Sequence, residues 1–312
     1  MPSSRLFGLS TLVAASLIGC GGDSSGSNID TGPTPQPLTV NFDAVANGEP
    51  VSCDTPLMGL GMDGTTVELA DLRFYIHDLA LITDSDENLL VQLDQDTPWQ
   101  HDNVALLDFQ NRSDACRSDD TKPTNTRMMG TLPATNANIQ GVRFTVGVPA
   151  RFNHSDVTTA PQPLNIPAMF WNWQGGYKHM RIDVRPEGGI DRPSDAEFSA
   201  DTWNFHLGAT SCGPDPREPD NSPEDVTCEF DNRFVVQLDC INGGECFDVD
   251  SHRIQFDYGQ LISNTQLALS RNGPSGCMSG QGDADCPEIF ARLGLTHGDN
   301  PGAQQSVFKL VR

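Results

Sequence analysis

VELADLRFYIHDLALIT, residues 67–83, mixes β-branched, aromatic and leucine side chains with isolated charges and holds neither glycine nor proline. Such a run reads as extended chain rather than loop, long enough for one bent strand or two in succession. The same habit recurs on both sides of it. LTVNFDA places Leu38, Val40 and Phe42 on one face by period-two alternation, and LLVQLDQ, GVRFTVGVP, MRIDVRP, WNFHLGA, RFVVQLDC and HRIQFDY follow. Polar and proline-rich stretches such as DSDEN, SDDTKPTNT and GPDPREPDNSPED separate them. Short strands joined by turn-rich loops predict an all-β fold, an antiparallel β-sandwich or barrel-like domain with long loops. One short C-terminal helix is expected at residues 287–293, with Asp285 ahead of it and Gly294 at its stop.

The N-terminus fixes the compartment. MPSSRLFGLSTLVAASLIGC carries one arginine and an apolar stretch over residues 9–18, too short to span a bilayer but suited to a secretory signal. Leu17-Ile18-Gly19-Cys20 has the pattern of a bacterial lipoprotein signal, with residues 1–19 removed and Cys20 lipidated. Gly21 rather than aspartate follows, which favours the outer membrane of a Gram-negative cell, facing the periplasm or the surface. Residues 20–37, rich in Gly, Ser, Thr and Pro, cannot bury enough apolar surface to order and read as a flexible tether. Residues 38–312 then form one β domain of about 275 residues.

Charge and cysteines narrow the function. The net charge of −23, from 42 acidic against 19 basic residues, excludes a nucleic-acid partner, since no basic cluster exists. Apart from Cys20, the chain holds Cys53, Cys116, Cys212, Cys228, Cys240, Cys246, Cys277 and Cys286. An even number in an exported chain predicts four disulfides; roughly a hundred pairings stay open, and no CxxC points to thiol chemistry. The motifs GxSxG, HExxH, the P-loop and a helix-opening GxGxxG are all missing. TDSDENLL lacks the glycine and distal glutamate of a calcium loop and is expected as a hairpin turn.

The histidines carry more. His77 belongs to the long strand, His179 and His252 read as strand-edge residues, and His297 sits in a C-terminal loop. His101 in PWQHDN and His154 in PARFNHSD border strands in loops, where a rigid β scaffold displays binding groups. Two imidazoles in an exported chain without free thiols suit copper or zinc, copper the more strongly. Trp99, two residues before His101, reads on its own as packing; so do Trp171 and Trp173, which alternate in MFWNWQGGY.

The stretches DLRFYIHDLALI, PWQHDNVALLDF, GVRFTVGVPARFNH, AMFWNWQGGYKHMRID, FHLGATSC and GCMSGQGDADCPEIFARLGL run in this order over nearly the whole mature domain. Together they resemble the MbnP-like proteins, the four-Cys metallo-mystery-pair family, related to the copper-repressible surface proteins CorA and MopE of methane-oxidising bacteria. The resemblance implies a β-rich exported domain, itself not an enzyme, that holds one copper ion for scavenging, storage or handover. It also implies that Trp99 is oxidised to kynurenine by a partner di-haem MauG-like enzyme. Carried onto this chain, it makes His101 the first ligand, His154 the second, Trp99 (as kynurenine) a neighbour of the metal, and His206 in FHLG a reserve ligand. Trp171 and Trp173 become candidates to carry an electron hole to Trp99. Two features depart from the family: eight mature cysteines rather than four, and His179 where an aromatic is commoner. Opening the indole exposes an aryl amine and a ketone; two imidazoles with so weak a donor suit Cu(I) better than Zn(II). A competing expectation is a structural or adhesive surface domain that binds a glycan or protein through acidic loops. A hydrolase with an unrecognised carboxylate pair has least in its favour.

Overall fold

The structure, a computed structural model, describes residues 33–172, 174–240 and 245–312. The signal segment, Cys20, residues 20–32 of the tether and Trp173 lie outside the described residues. The first strand, Gln36–Ala46, already begins within the stretch read as tether. No helix among the described residues is long and apolar enough to cross a membrane.

The long apolar run forms a single strand, Thr65–Thr83, the spine of the larger sheet. On one side it pairs with Gly176–Pro186 over its first half and with Ile139–Val146 over its second. On the other it pairs in turn with Leu57–Leu60, Val104–Asp108 and Asn88–Leu90. Asp78, at φ 54, marks a bulge near the changeover. The smaller sheet orders Phe308–Val311, Arg253–Asp257, Gln36–Ala46, Arg127–Leu132 and Gln92–Leu93. Among the described residues two strand pairings are parallel, Gln36–Ala46 with Arg253–Asp257 and Trp203–Gly208 with Gly276–Cys277, and the other pairings between strands are antiparallel.

The core lies between the sheets, because alternation turns one face of each strand inward. Leu38, Val40 and Phe42 are buried as the period-two pattern requires. Phe74 of the spine meets Phe256 and Phe308 of the smaller sheet at 5.4 and 5.7 Å between ring centres. Phe144 closes the set against Phe42 and Phe308. Each such ring contributes roughly 1.5–3 kcal/mol by its burial.

The outer face of the spine carries a second apolar layer: Tyr75, Val104, Leu106, Val148, Leu164, Met169 and Tyr177. The chain from 148 to 170 lies across it, strapped by Tyr75 Oη to the Pro163 carbonyl (3.0 Å) and Tyr177 Oη to the Leu164 carbonyl (2.6 Å). The helix Pro287–Leu293 appears where expected and ends at left-handed Gly294. Asp285 does not cap it: its carboxylate accepts from the Arg271 guanidinium and backbone N–H instead. TDSDENLL is the predicted hairpin turn, with the Thr83 hydroxyl accepting from the N–H groups of Ser85 and Glu87.

The cysteines pair as Cys53–Cys116, Cys212–Cys228, Cys240–Cys246 and Cys277–Cys286.

Candidate metal centre

Trp99 and His101 enter on a two-residue hairpin. Gln100–His101 pairs with Val104–Ala105 around Asp102-Asn103, and Asp102 adopts φ 53, a conformation Asp tolerates well. The Trp99 carbonyl accepts from Leu106 N–H at 2.9 Å and extends the ladder by one position. Gln100 sets the facing. Its amide donates to the Asp94 and Met129 carbonyls, both at 2.8 Å, and its oxygen accepts from Met129 N–H at 2.7 Å. With Gln100 fixed inward, alternation turns Trp99 and His101 outward. Trp99 packs half-buried against the second apolar layer and also lines a surface cleft of about 460 Å³ with Asn41, Asp96 and Arg127. Register places His101, Val104 and His77 side by side on the same face of three strands.

His154 enters on the strap. After Pro149 the chain makes a short helical turn, Ala150–Phe152, and Asn153 then grips the start of strand Gly176–Pro186. The Asn153 carbonyl and side-chain oxygen both accept from Tyr177 N–H, at 3.1 and 3.3 Å. The approach is so close that a Cβ on Gly176 would stand 2.2 Å from the Asn153 carbonyl oxygen. The Asn153 amide nitrogen lies 3.1 Å from His154 Nε2, orienting a ring that is 5 % exposed. His154 borders a cavity of about 300 Å³ with Cys228, Asp231 and Arg233.

Arg151 and Phe152 join the two segments. The His101 and Phe152 ring centres are 5.7 Å apart, and the Arg151 guanidinium covers the Phe152 ring at 4.5 Å. Arg151 also bonds Asp102 (3.1 Å) and Asn103, and Asn103 in turn bonds Asp78. The hairpin that carries Trp99 and His101 is thereby tied to the strap two and three residues before His154. Among the described residues, the groups of three or more His, Cys, Asp or Glu donors within 4.8 Å are His154–Cys212–Cys228 and Cys277–Asp283–Cys286. His101 belongs to neither.

The remaining histidines have structural work. His179 is not an edge residue: it is fully buried where the strands flanking the spine change over. Its Nδ1 accepts from Val148 N–H (3.2 Å) and its Nε2–H donates to the Asp231 carbonyl (3.0 Å), which leaves no lone pair for a metal. Burial, reinforced by the Arg233 guanidinium, pushes its pKa down to about 3. His77 is buried beside it and donates from Nδ1 to the Gly147 carbonyl at 2.8 Å; burial lowers its pKa. His252 is likewise buried, accepting from Asp248 N–H, and His297 Nε2 bonds the Gly280 carbonyl. His206, the reserve candidate, is engaged elsewhere. Its Nε2 bonds Asp183 Oδ1 at 2.8 Å in a buried network with Arg181, Asp71 and Arg73. Burial holds its pKa below the usual value against the pull of Asp183.

Two imidazoles on adjoining, backbone-fixed segments, with the half-buried Trp99 indole two residues from one of them, are donors of a kind that suits a soft metal ion. Sequence reading missed Arg151 and Asn153, which sit in the quoted segment PARFNHSD but reveal their roles only when the hairpin and Gly176 are brought beside them. It also missed the sulfur atoms at His154, whose signal is the disulfide pairing itself.

Comparison with known proteins gives a consistent picture. The family model MbnP matches residues 35–279. The solved structure of MbnP from Methylosinus trichosporium superposes with a TM-score of 0.77 at 30% sequence identity, covering 89% of this chain and 98% of that one. No curated protein sequence matches.

Proposed function

The chain belongs to the MbnP family, and from that premise we propose that it is an exported copper-binding protein, held at the membrane through a lipidated Cys20, whose Trp99 is oxidised by a separate enzyme. The observation that carries this reading is the Arg151–Phe152 clamp, which holds the Trp99–His101 hairpin against the strap bearing His154. His101 and His154 supply neutral imidazole nitrogens, and Asn153 and Phe152 orient those rings. The bound metal supplies soft-ligand storage chemistry, and the protein itself turns over no substrate. Trp99 has one side in the apolar layer and one on an open cleft. An oxidant of the MauG-like di-haem class, docked outside, can thus act on the indole while the fold stays closed. Ring opening adds two oxygens and releases one carbon as carbon monoxide or formate, leaving kynurenine with an aryl amine beside His101. Scavenging, storage or handover of Cu(I) follows from a site so close to the surface.

The test is metal analysis with intact mass on protein from its native host, beside His101→Ala and His154→Ala variants. One copper per chain is expected, lost in either variant. The peptide bearing Trp99 should gain the mass of one oxygen less one carbon. Copper retained when both histidines are replaced sinks the site; an unmodified Trp99 after exposure to the active partner sinks the modification.

A further inference from the structure

His154 faces two ways. The hairpin of Thr210–Gly213 with Thr227–Phe230 sets Cys212 directly across from Cys228, and the bridge between them lies against the imidazole. Cys228 Sγ is 3.5 Å from His154 Nε2, and the donor atoms of all three residues lie within 4.8 Å of one another. A disulfide sulfur is a poor ligand, whereas a thiolate is a strong one. We propose that His154, Cys212 and Cys228 form a latent thiolate–imidazole metal site, shut while the bridge is oxidised and opened by its reduction, with Cu(I) as the cation its donors select. This site shares His154 with the proposed copper centre but needs neither Trp99 nor His101.

Three observations separate this bridge from the other three. It alone has an imidazole within ligand distance among the described clusters; the comparable group at Cys277–Asp283–Cys286 offers a carboxylate already accepting from the N–H groups of Met278 and Asp285. It can be approached from both sides: Cys228 lines the cavity with His154, and Cys212 lines a groove of about 510 Å³ with Trp171 and Met278. Its partner sulfurs also stay in place after cleavage, because backbone pairings Thr210–Phe230 and Gly213–Thr227 flank them.

The chemistry balances with a dithiol reductant of the exported thiol–disulfide exchange class. One reductant thiolate attacks a bridge sulfur, the S–S bond breaks, and the released cysteine takes up a proton. The second reductant thiol then attacks the mixed disulfide, frees the other cysteine, and leaves as the reductant's own disulfide. Two electrons and two protons enter the chain. Cu(I) binding displaces both thiol protons and takes over the His154 Nε2 lone pair from the Asn153 amide, giving a three-coordinate set of two thiolate sulfurs and one imidazole nitrogen. Zn(II), which demands a fourth ligand, is served less well.

The test uses the full chain under anaerobic conditions. One equivalent of a phosphine reductant is added, and the opened cysteines are identified by alkylation and peptide mass. Cu(I) affinity is then read by competition with a chromogenic chelator, and the ligands by X-ray absorption. Opening of Cys212–Cys228 first, sulfur in the copper shell, and binding tighter by at least about tenfold, about 1.4 kcal/mol, are expected. The gain should persist in His101→Ala and vanish in Cys212→Ser/Cys228→Ser. Another bridge opening first, an equal gain in the double serine variant, or a copper shell without sulfur overturns the proposal. Loss of the β-sheet circular dichroism on reduction overturns it as well. Copper lost from the oxidised protein in His101→Ala bears only on the centre proposed earlier.

Discussion

Gly176 sits at φ 70 with the Asn153 carbonyl where its Cβ would be. Replacing it by alanine imposes both left-handed strain and a backbone clash, so Gly176→Ala should cost about 2–4 kcal/mol in urea unfolding. Gly188, at φ 89 with open space around it, isolates the strain component; Gly188→Ala should cost only about 1 kcal/mol. Equal losses would show that the Asn153 clamp is slack. His179 gives the pH response. Its imidazole titrates near 6.5 when unfolded and is pushed down to about 3 in the fold. Between those values the unfolded chain binds more protons, so this contribution is whole above 6.5 and lost as pH falls toward 3. His179→Asn keeps an acceptor for Val148 N–H and cannot titrate. It should be less stable by about 1–3 kcal/mol at neutral pH yet show a flatter decline from pH 6.5 to 4; parallel decline in both proteins refutes this. At this scale the sequence exposed Trp99, His101 and His154 as a spaced pattern in loops. It hid the occupation of His179, because a period-two pattern reveals a face but not that Val148 and Asp231 wait on both sides of the ring.

The strap over the outer face is the element on which the proposed centre depends. Tyr75 and Tyr177 each give a buried hydroxyl to a strap carbonyl, at Pro163 and Leu164. Removing one hydroxyl leaves that carbonyl unpaired, so Tyr75→Phe and Tyr177→Phe should each cost about 1–2 kcal/mol. The double variant should speed amide exchange across residues 155–166 while exchange in strand Thr65–Thr83 stays slow. Slowing or no change in the strap would mean that its apolar side chains alone hold it. Strands were legible because alternation and β-branched runs are local signals, and the terminal helix because Pro287 and Gly294 punctuate it. The strap was not. PARFNHSDVTTAPQPLNIPAMF has no period, and two tyrosines on neighbouring strands of the larger sheet hold it in place.

Over the whole molecule, the sheet order, the two parallel strand pairings and the Cys53–Cys116 bridge depend on contacts far apart in sequence, and no local pattern encodes them. The cysteine count foretold four bridges, but only the hairpin register makes Cys212 face Cys228. The proposed centre is likewise a property of the assembled fold: it would join a hairpin near residue 101 to a strap near 154, each braced on the spine strand. A ligand that binds only this assembled state must stabilise all of it. With free Cu(I) at a hundredfold excess over its dissociation constant, the linkage is about 2.7 kcal/mol. In a domain of this size that raises Tm by roughly 4–6 °C. The rise should appear in wild-type protein with its disulfides intact and vanish in His101→Ala/His154→Ala. An equal rise in the double variant would place the stabilising copper elsewhere on this acidic surface.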